Sequence, residues 1–571
     1  MAIIRQHDKR SGITYIYEST SYWDKAKKQP RATRKLIGRL DPKTGETVPT
    51  NGNCQRRSPT YQSEHPDEVL PLKPASQSDR ERHTRCYGPT YLLDQAGCVI
   101  GVATILRKRF GERNKKLRSL AYYLVLGDKS SMSGFKKWAE RNRHPYGKTM
   151  TSQEISELLK SITEEERMGF FSDLLKLRGE GEFWAYDITS ISSYSKTLRQ
   201  VRRGRSKENS RLPQINLALV FGQNSGMPFY YRKLPGNVPD VKTVKALLKD
   251  LCFLGYKKVK LVMDRGFYSE KNINDLYKER CRFLAGTKNN LLFVKEFIRK
   301  IGSDKDNPAY WDKECRCFMF SEKTHWDYSQ VRPYKGDVLH GKKPMSLHLY
   351  FNPEKLLEEK IAFCDEIADL EEELRSGRRV EANEESYSKY FTVTTGADGR
   401  TEVTRNVEAL GQAHEEHGFH CLISNDVHEP GTALRLYRNR NIVEQAFGNL
   451  KDRLGIRRPL VRTDETLDGK LFVAFIALMY LSFIKKRMED AGMFRERTMD
   501  ELFDELSTIE CIERPGKEAR VGEVLKKQED LYRQLNVTPI PASPTLKPKA
   551  KKEVAAQKND SPQEGQTPAS K

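Results

Sequence analysis

The stretch that most constrains this chain is Leu436-Tyr-Arg-Asn-Arg-Asn-Ile-Val-Glu-Gln-Ala-Phe-Gly-Asn-Leu-Lys-Asp-Arg-Leu454. At about 100° per residue it predicts one helix. Leu436, Val443, Phe447, Leu450 and Leu454 then form an apolar stripe that must dock on a core. Beside it runs a polar stripe of Tyr437, Arg440, Glu444 and Lys451. Relative to Glu444 the other three span roughly 60° of arc. A carboxylate held on a packed helix, between an aromatic hydroxyl and two cations, suits a site that holds a metal and a phosphate together. The plainer reading is an amphipathic helix with a solvated charged face. Two other places in the chain decide between them.

The chain has 571 residues, 37% of them hydrophobic, and a formal net charge of +22. That length allows several domains, and that charge points to a polyanion, nucleic acid first. An anionic membrane surface comes second, and no run of about 18 apolar residues is present to span a bilayer. The most apolar run, Leu471 to Ile484, is short for a span and reads as a buried core helix. Residues 1–7 carry no signal-peptide pattern. The ten cysteines show no disulfide framework. Cys315-x-Cys317 with His325 lacks a fourth zinc ligand at normal spacing. Free thiols in a reducing, cytoplasmic setting fit better.

In order, residues 1–50 read as a small basic β unit. Its strand candidates are Ile13–Trp23 and Arg34–Leu40, joined by a lysine-rich connection that starts at Lys25. This unit is a candidate DNA-contacting arm. Residues 51–86 read as a polar linker and 87–178 as a helical DNA-binding region, with a capping box expected at Ser152. Residues 179–289 alternate strands and helices: three strands joined by hairpins, then helix, strand, helix, strand. That is the order of a ribonuclease H-like core. Residues 290–415 interrupt it as a β-rich insertion. Residues 416–490 return to the core with the organising helix, 491–537 are helical, and 538–571 have a disorder-prone composition.

Two further acids stand out. Asp187 sits inside an otherwise apolar strand, where Asp is depleted and a buried carboxylate needs a partner or a metal. Asp264 ends a strand of Val, Leu, Val and Met, just before Arg265-Gly266, and strand ends of α/β sheets are where ligand groups gather. With Glu444 these make three hard oxygen ligands, suited to two Mg²⁺ or Mn²⁺ ions that clamp an in-line phosphoryl displacement.

On these residues the chain resembles a DDE transposase of a bacterial insertion sequence. Tyr437, Arg440, Glu444 and Lys451 match the Tyr-x2-Arg-x3-Glu-x6-Lys motif of one branch. Tyr186-Asp187-Ile-Thr-Ser190, Met263-Asp264-Arg265-Gly-Phe-Tyr268 and Gly204-Arg-Ser-Lys207 resemble further family blocks. The resemblance covers roughly residues 87 to 487. It implies an interrupted ribonuclease H-like fold, catalytic and metal-binding roles for Asp187, Asp264 and Glu444, and cut-and-paste chemistry through a DNA hairpin. It also implies DNA contacts by Tyr437, Arg440, Lys451, Arg265 and Lys207. An insertion-domain tryptophan would stack on a flipped base, with Trp311 and Trp326 as candidates and a core tryptophan as the ordinary alternative for each. The expected partners are double-stranded DNA, both terminal inverted repeats and target, and a second copy of the chain in the synaptic complex. The expected place of action is the bacterial cytoplasm, with no membrane partner. A structure-specific nuclease and an inactive DNA-binding repressor are the alternatives. The sequence does not specify the repeat or the target.

Overall fold

The computed structural model describes residues 2–8, 12–24, 29–41, 44–48, 83–127, 131–177, 181–204, 212–256, 258–332, 336–395, 401–514 and 517–541. Lys207, the lysine-rich connection at Lys25, residues 51–82 and the tail from residue 542 lie outside them. The chain divides into two compact units, Met1–Arg82 and His83–Lys571.

The first unit is an antiparallel sheet of β1 (Ala2–Asp8), β2 (Ile13–Asp24), β3 (Gln29–Leu40) and the short β4 (Thr47–Val48), in that order. A bulge between Ile16 and Tyr17 lets Ile16 pair with Gly38 and Tyr17 with Leu36. Ile16 is the one apolar residue buried among the described residues of this unit, while Trp23, Tyr22 and Leu36 stand exposed. Cross-strand pairs such as Tyr17 with Leu36 contribute to holding the sheet together.

The second unit opens with β5 (His83–Cys86), at the end of the expected linker. Six helices follow between Gly88 and Lys176. Thr151 caps the helix Ser152–Lys160 in a reciprocal box with Glu154, one residue before the expected Ser152. Thr163 and Glu166 cap Glu164–Lys176 in the same way. These helices wrap the long helix Asp464–Asp490, whose residues Leu471 to Ile484 are all buried. Tyr480 meets Tyr122 edge-on at 5.3 Å, and Phe472 meets Phe170 at 5.1 Å. By length and apolar composition this helix passes for a membrane span, but 94% of its apolar window is buried inside the protein. Its packing makes it the spine of the unit, and truncating Phe475 to Ala should cost about 3–5 kcal/mol.

The sheet beside this spine has nine strands. β6 (Trp184–Ser192), β7 (Gln214–Gly222) and β8 (Pro228–Pro235) form an antiparallel meander, and β9 (Lys260–Met263) and β10 (Arg282–Thr287) follow with helices between them. β9 lies parallel to β6 on one side and to β10 on the other. The first and fourth strands of this block are thus neighbours, as the strand order predicted.

The interval 290–415 joins this sheet instead of standing apart from it. Its strands β11 (Trp311–Asp312), β12 (Cys317–Val331) and β13 (Val338–Phe351) extend the sheet through β16 (Phe419–Ser424), since β14 (Phe391–Thr395) and β15 (Thr401–Arg405) pair only with each other. β12 and β13 pair along their whole length, but β13 meets β16 only from Ser346 to Phe351. The outer half of the ribbon therefore runs past the sheet. The helix Pro353–Arg375 and β14 bury a small cluster of their own, with Ile367, Leu370, Tyr387 and Phe391. At the C-terminal end β17 (Glu510–Arg514) pairs with β5 and with β18 (Lys517–Val521).

Candidate active site

Two of the three acids are brought together by strand register. Tyr186 on β6 pairs with Met263 on β9, so Asp187 and Asp264 are the next step along two parallel strands, about 4.8 Å apart at that spacing. β6 is otherwise buried, and Asp187 is its one partly exposed residue. Its carboxylate accepts the Ile188 amide at 2.7 Å. Asp264 directly follows β9 and caps the short turn Arg265–Phe267, accepting the Arg265 amide at 2.8 Å.

The third acid comes on a segment that is broken, contrary to the single helix expected. Pro430–Arg438 and Asn441–Gly448 are separate α-helices, and Asn449–Arg453 is a π-helical turn. The cause lies in the apolar stripe. Leu436 packs with Leu434, Ala433 and Tyr350 in one cluster, whereas Val443, Phe447, Leu450 and Leu454 enter the main core. One straight helix does not serve both, so the chain tightens at Asn439 and Arg440, where Val443 bonds back to the Arg440 carbonyl at 2.9 Å. The wider π turn then rotates the facing of the residues from Asn449 on. Lys451, expected on the open polar stripe, is 9% exposed.

Tyr437 and Arg440 nevertheless meet the strand acids. The Tyr437 hydroxyl donates to Asp264 Oδ1 at 2.6 Å, and Arg440 Nη1 donates to the same oxygen at 2.9 Å. Arg440 Nη2 reaches Glu444 Oε1 at 3.4 Å and the guanidinium lies 4.7 Å from the Tyr437 ring centre. Burial works against the Asp264 carboxylate, but Tyr437, Arg440 and the Arg265 amide outweigh it and hold its pKa below the usual value. Burial pushes the Tyr437 hydroxyl up, so it stays a donor. Burial also opposes the charge on Arg440, but Tyr437, Asp264 and Asp187 more than restore it.

Two supporting residues were missed in the sequence. Gly286 lies inside β10, and a Cβ there would fall 2.7 Å from the Tyr437 hydroxyl and 3.0 Å from the Arg265 amide. The bare backbone is what admits Tyr437 to Asp264, and a glycine inside a strand is the signal that marks such an approach. His420 on β16 lies 5.0 Å from the Tyr437 ring. Its Nε2 is buried with no partner among the described residues, and burial pushes its pKa down to about 3. A neutral imidazole therefore backs Tyr437.

Asp187, Asp264 and Glu444 are hard oxygen donors of the kind that suit Mg²⁺ or Mn²⁺. Asp187 and Asp264 are adjacent and ionisation of Asp264 is favoured, so the donor chemistry fits. Among the described residues no three His, Cys, Asp or Glu side chains converge on one ion position. Glu444 lies one turn beyond Arg440, which reaches it at 3.4 Å. Arg265 is exposed beside Asp264.

The structure separates the two tryptophans. Trp326 is buried and donates from Nε1 to Asn274 at 2.8 Å, while Trp311 is 42% exposed at the sheet edge, 5.0 Å from the Phe318 ring. Cys315 and Cys317 are buried in the apolar cluster with Leu434, so their setting is one of packing. A cavity of about 730 Å³ lies beside Trp326, lined by Glu270, Glu296, Glu322 and Asp327 with Lys300. Its acidic wall does not suit a polyanion.

A family model described as the transposase DDE domain matches residues 179–480, just over half of the chain. No curated protein sequence matches. Among solved structures, a piggyBac transposase synaptic complex with hairpin DNA aligns over 74% of this chain and 79% of its own, at 10% identity and a TM-score of 0.33.

Proposed function

The chain belongs to the transposase DDE-domain family, and from that premise we infer that it cuts the ends of its own mobile element and joins them to target DNA. DNA transposition and recombination are the work of the family. The finer reading is cut-and-paste transfer by a member of the branch with the Tyr-Arg-Glu-Lys motif, carried by a bacterial insertion sequence and acting in the cytoplasm. The observation that carries it is the register that pairs Tyr186 with Met263 and so sets Asp187 and Asp264 one step beyond, under a segment whose Tyr437 and Arg440 bind Asp264 and whose next turn carries Glu444.

Asp187, Asp264 and Glu444 would hold two Mg²⁺ or Mn²⁺ ions. Such ions, when bound, activate the attacking oxygen and neutralise charge on the leaving one. The chain's own residues do the positioning. Arg440 and exposed Arg265 flank Asp264 and present cations to the phosphates on either side of the cut. Lys207 is the further cation assigned to phosphate, Lys451 being buried at 9% exposure, and Trp311 is the tryptophan open to a base. Tyr437 keeps Asp264 ionised and fixed.

In this reading water cuts one strand at the element end and frees a 3′ hydroxyl. That hydroxyl attacks the opposite strand, closing a hairpin on the element and releasing the flank. A second water reopens the hairpin, and the 3′ hydroxyl attacks a target phosphate. Two ends joined in concert need two acid triads at fixed spacing, so the synaptic complex is a homodimer with two-fold symmetry. The helices between Gly88 and Lys176 are the segment assigned to the terminal repeat.

The test is cleavage of labelled duplexes taken from the DNA on both flanks of the gene, with and without Mg²⁺. Metal-dependent nicks at the repeat boundary, followed by hairpins, are expected. Cutting at branched DNA without strand transfer would instead indicate a structure-specific nuclease. Binding without cutting would indicate a repressor.

A further inference from the structure

Leu460 is an anomaly. Its φ is +52°, in the left-handed region where a branched apolar side chain is strained. Among the described non-glycine residues with positive φ it is the one apolar residue; the others are Arg280, Arg316 and Asn536. Its side chain gains no burial in exchange, since Leu460 is 69% exposed.

The strain is held in place from both sides. Buried Lys470 donates to the Pro459 carbonyl at 2.7 Å, just before Leu460. Just after it, the Thr197 hydroxyl donates to the Arg462 carbonyl. Strain of this kind persists where the surroundings over-determine it, and such places cluster at ligand contacts.

Leu460 rims a cavity of about 410 Å³ that also takes in Ser193, Tyr194, Thr197, Arg458 and Arg462. Tyr194 is 69% exposed, although Leu198 and Val201 anchor its loop in the core. The Arg458 guanidinium lies 5.8 Å from its ring centre. Arg458 and Arg462 are the cations on the cavity wall, with Lys196, Arg199, Arg202 and Arg203 nearby in the sequence; Arg457 is paired with Asp452, and Asp464 accepts the Arg199 amide at 3.2 Å. A strained apolar side chain, an open aromatic face and a surround of cations are the parts that proteins use to unstack DNA.

Both walls of the cavity continue catalytic elements. Tyr194 lies seven residues beyond Asp187, just past the end of β6, and Arg458 comes soon after the turn that ends the Glu444 helix. At the rise of a strand, Tyr194 lies at most roughly 23 Å from Asp187. That places it within roughly seven base steps of about 3.4 Å from the strand acids.

We propose that this cavity is a second DNA site, resting on the transposase reading, in which duplex DNA a few base pairs from the cut is opened by Leu460 and the uncovered base stacks on Tyr194. Arg458 and Arg462 hold the phosphates of the opened step. The occupant is the same duplex whose end lies at Asp187 and Asp264.

The experiment uses the full chain and flank-derived duplexes with 2-aminopurine walked along them. Wild type should raise the fluorescence at one step inside the element. Leu460→Ala should lose that rise with binding weakened less than tenfold. Tyr194→Ala should weaken binding about fivefold or more, and Tyr194→Trp should restore it. Leu460→Gly relieves the backbone strain, so it should melt no lower than wild type and still lose the rise, which separates the wedge from a folding defect. Wild-type cleavage without a rise at any position would overturn the proposal, as would an undiminished rise in both Leu460 variants. If wild type neither binds nor cuts these duplexes, the transposase reading itself falls, and this inference with it.

Discussion

Asp264 and Glu444 stand on opposite sides of one guanidinium and live in different surroundings. Asp264 is fixed by β9, by the Arg265 amide, by Tyr437 and by Arg440. The Glu444 side chain is 54% exposed, and its contact with Arg440 is long at 3.4 Å. A strand end inside a sheet is set by register on both sides, whereas a helix after a break is set by the angle of that break. The difference teaches that strand register fixes Asp187 and Asp264 more firmly than the broken helical segment fixes Glu444.

The largest expected effect is on cleavage. Asp264→Asn and Glu444→Gln should each lower the cleavage rate by about a thousandfold or more, since each removes a charged ligand worth several kcal/mol of transition-state stabilisation. Rates measured under single turnover check this. The two variants should part on stability. Asp264→Asn leaves Arg440 without its main partner in a largely buried place and should cost about 1–3 kcal/mol in denaturant melts. Glu444→Gln should change stability by less than about 0.5 kcal/mol, because its group faces solvent. Equal losses would erase the contrast between the acids.

Next in size is Tyr437→Phe. Its hydroxyl helps to hold the Asp264 pKa below the ordinary carboxylate value. A depressed carboxylate contributes stability above its unfolded pKa and loses it as pH falls through the folded one. Without the hydroxyl the Asp264 pKa rises, so the acid limb of the cleavage profile should move to higher pH, with about a tenfold loss of rate near that limb. Gly286→Ala should give the same shift, because its methyl group meets the Tyr437 hydroxyl. An unmoved limb in both variants would remove Tyr437 from this role.

The smallest effect concerns His420. Its folded pKa of about 3 lies below the ordinary 6.5. The unfolded chain therefore binds the extra proton between those values, and the stability tied to neutral His420 is full above pH 6.5 and declines as pH falls toward 3. His420→Phe should flatten the fall of Tm across that window. A curve as steep as wild type would place the acid sensitivity elsewhere, with His144, also pushed down by burial to about 4, as the next group to change.

The placement of Asp187 near Asp264 was legible in the sequence because it follows local rules. The apolar runs around Asp187 and Asp264 marked strands, and the strand order put the first beside the fourth. The break at Asn439 was not legible, since the spacing of Leu436 and Val443 fits one helix until each is known to join a different cluster. Register between distant segments was hidden too. β5 pairs with β17, over 400 residues away, and β13 meets β16 across the helix Pro353–Arg375. Neither partner is written into the strand it joins. The left-handed backbone of Leu460 had no signal at all, because leucine is not a residue that announces such a turn.

We propose that Asp187, Asp264 and Glu444 form one catalytic centre for cutting DNA. Side-by-side measurement of binding and Mg²⁺-dependent cleavage of flank-derived duplexes, by wild type and by Glu444→Gln, tests it most directly. The expected result is equal binding, with cleavage by wild type alone. Cleavage by Glu444→Gln at the wild-type rate would contradict the claim and take the helix acid out of the site.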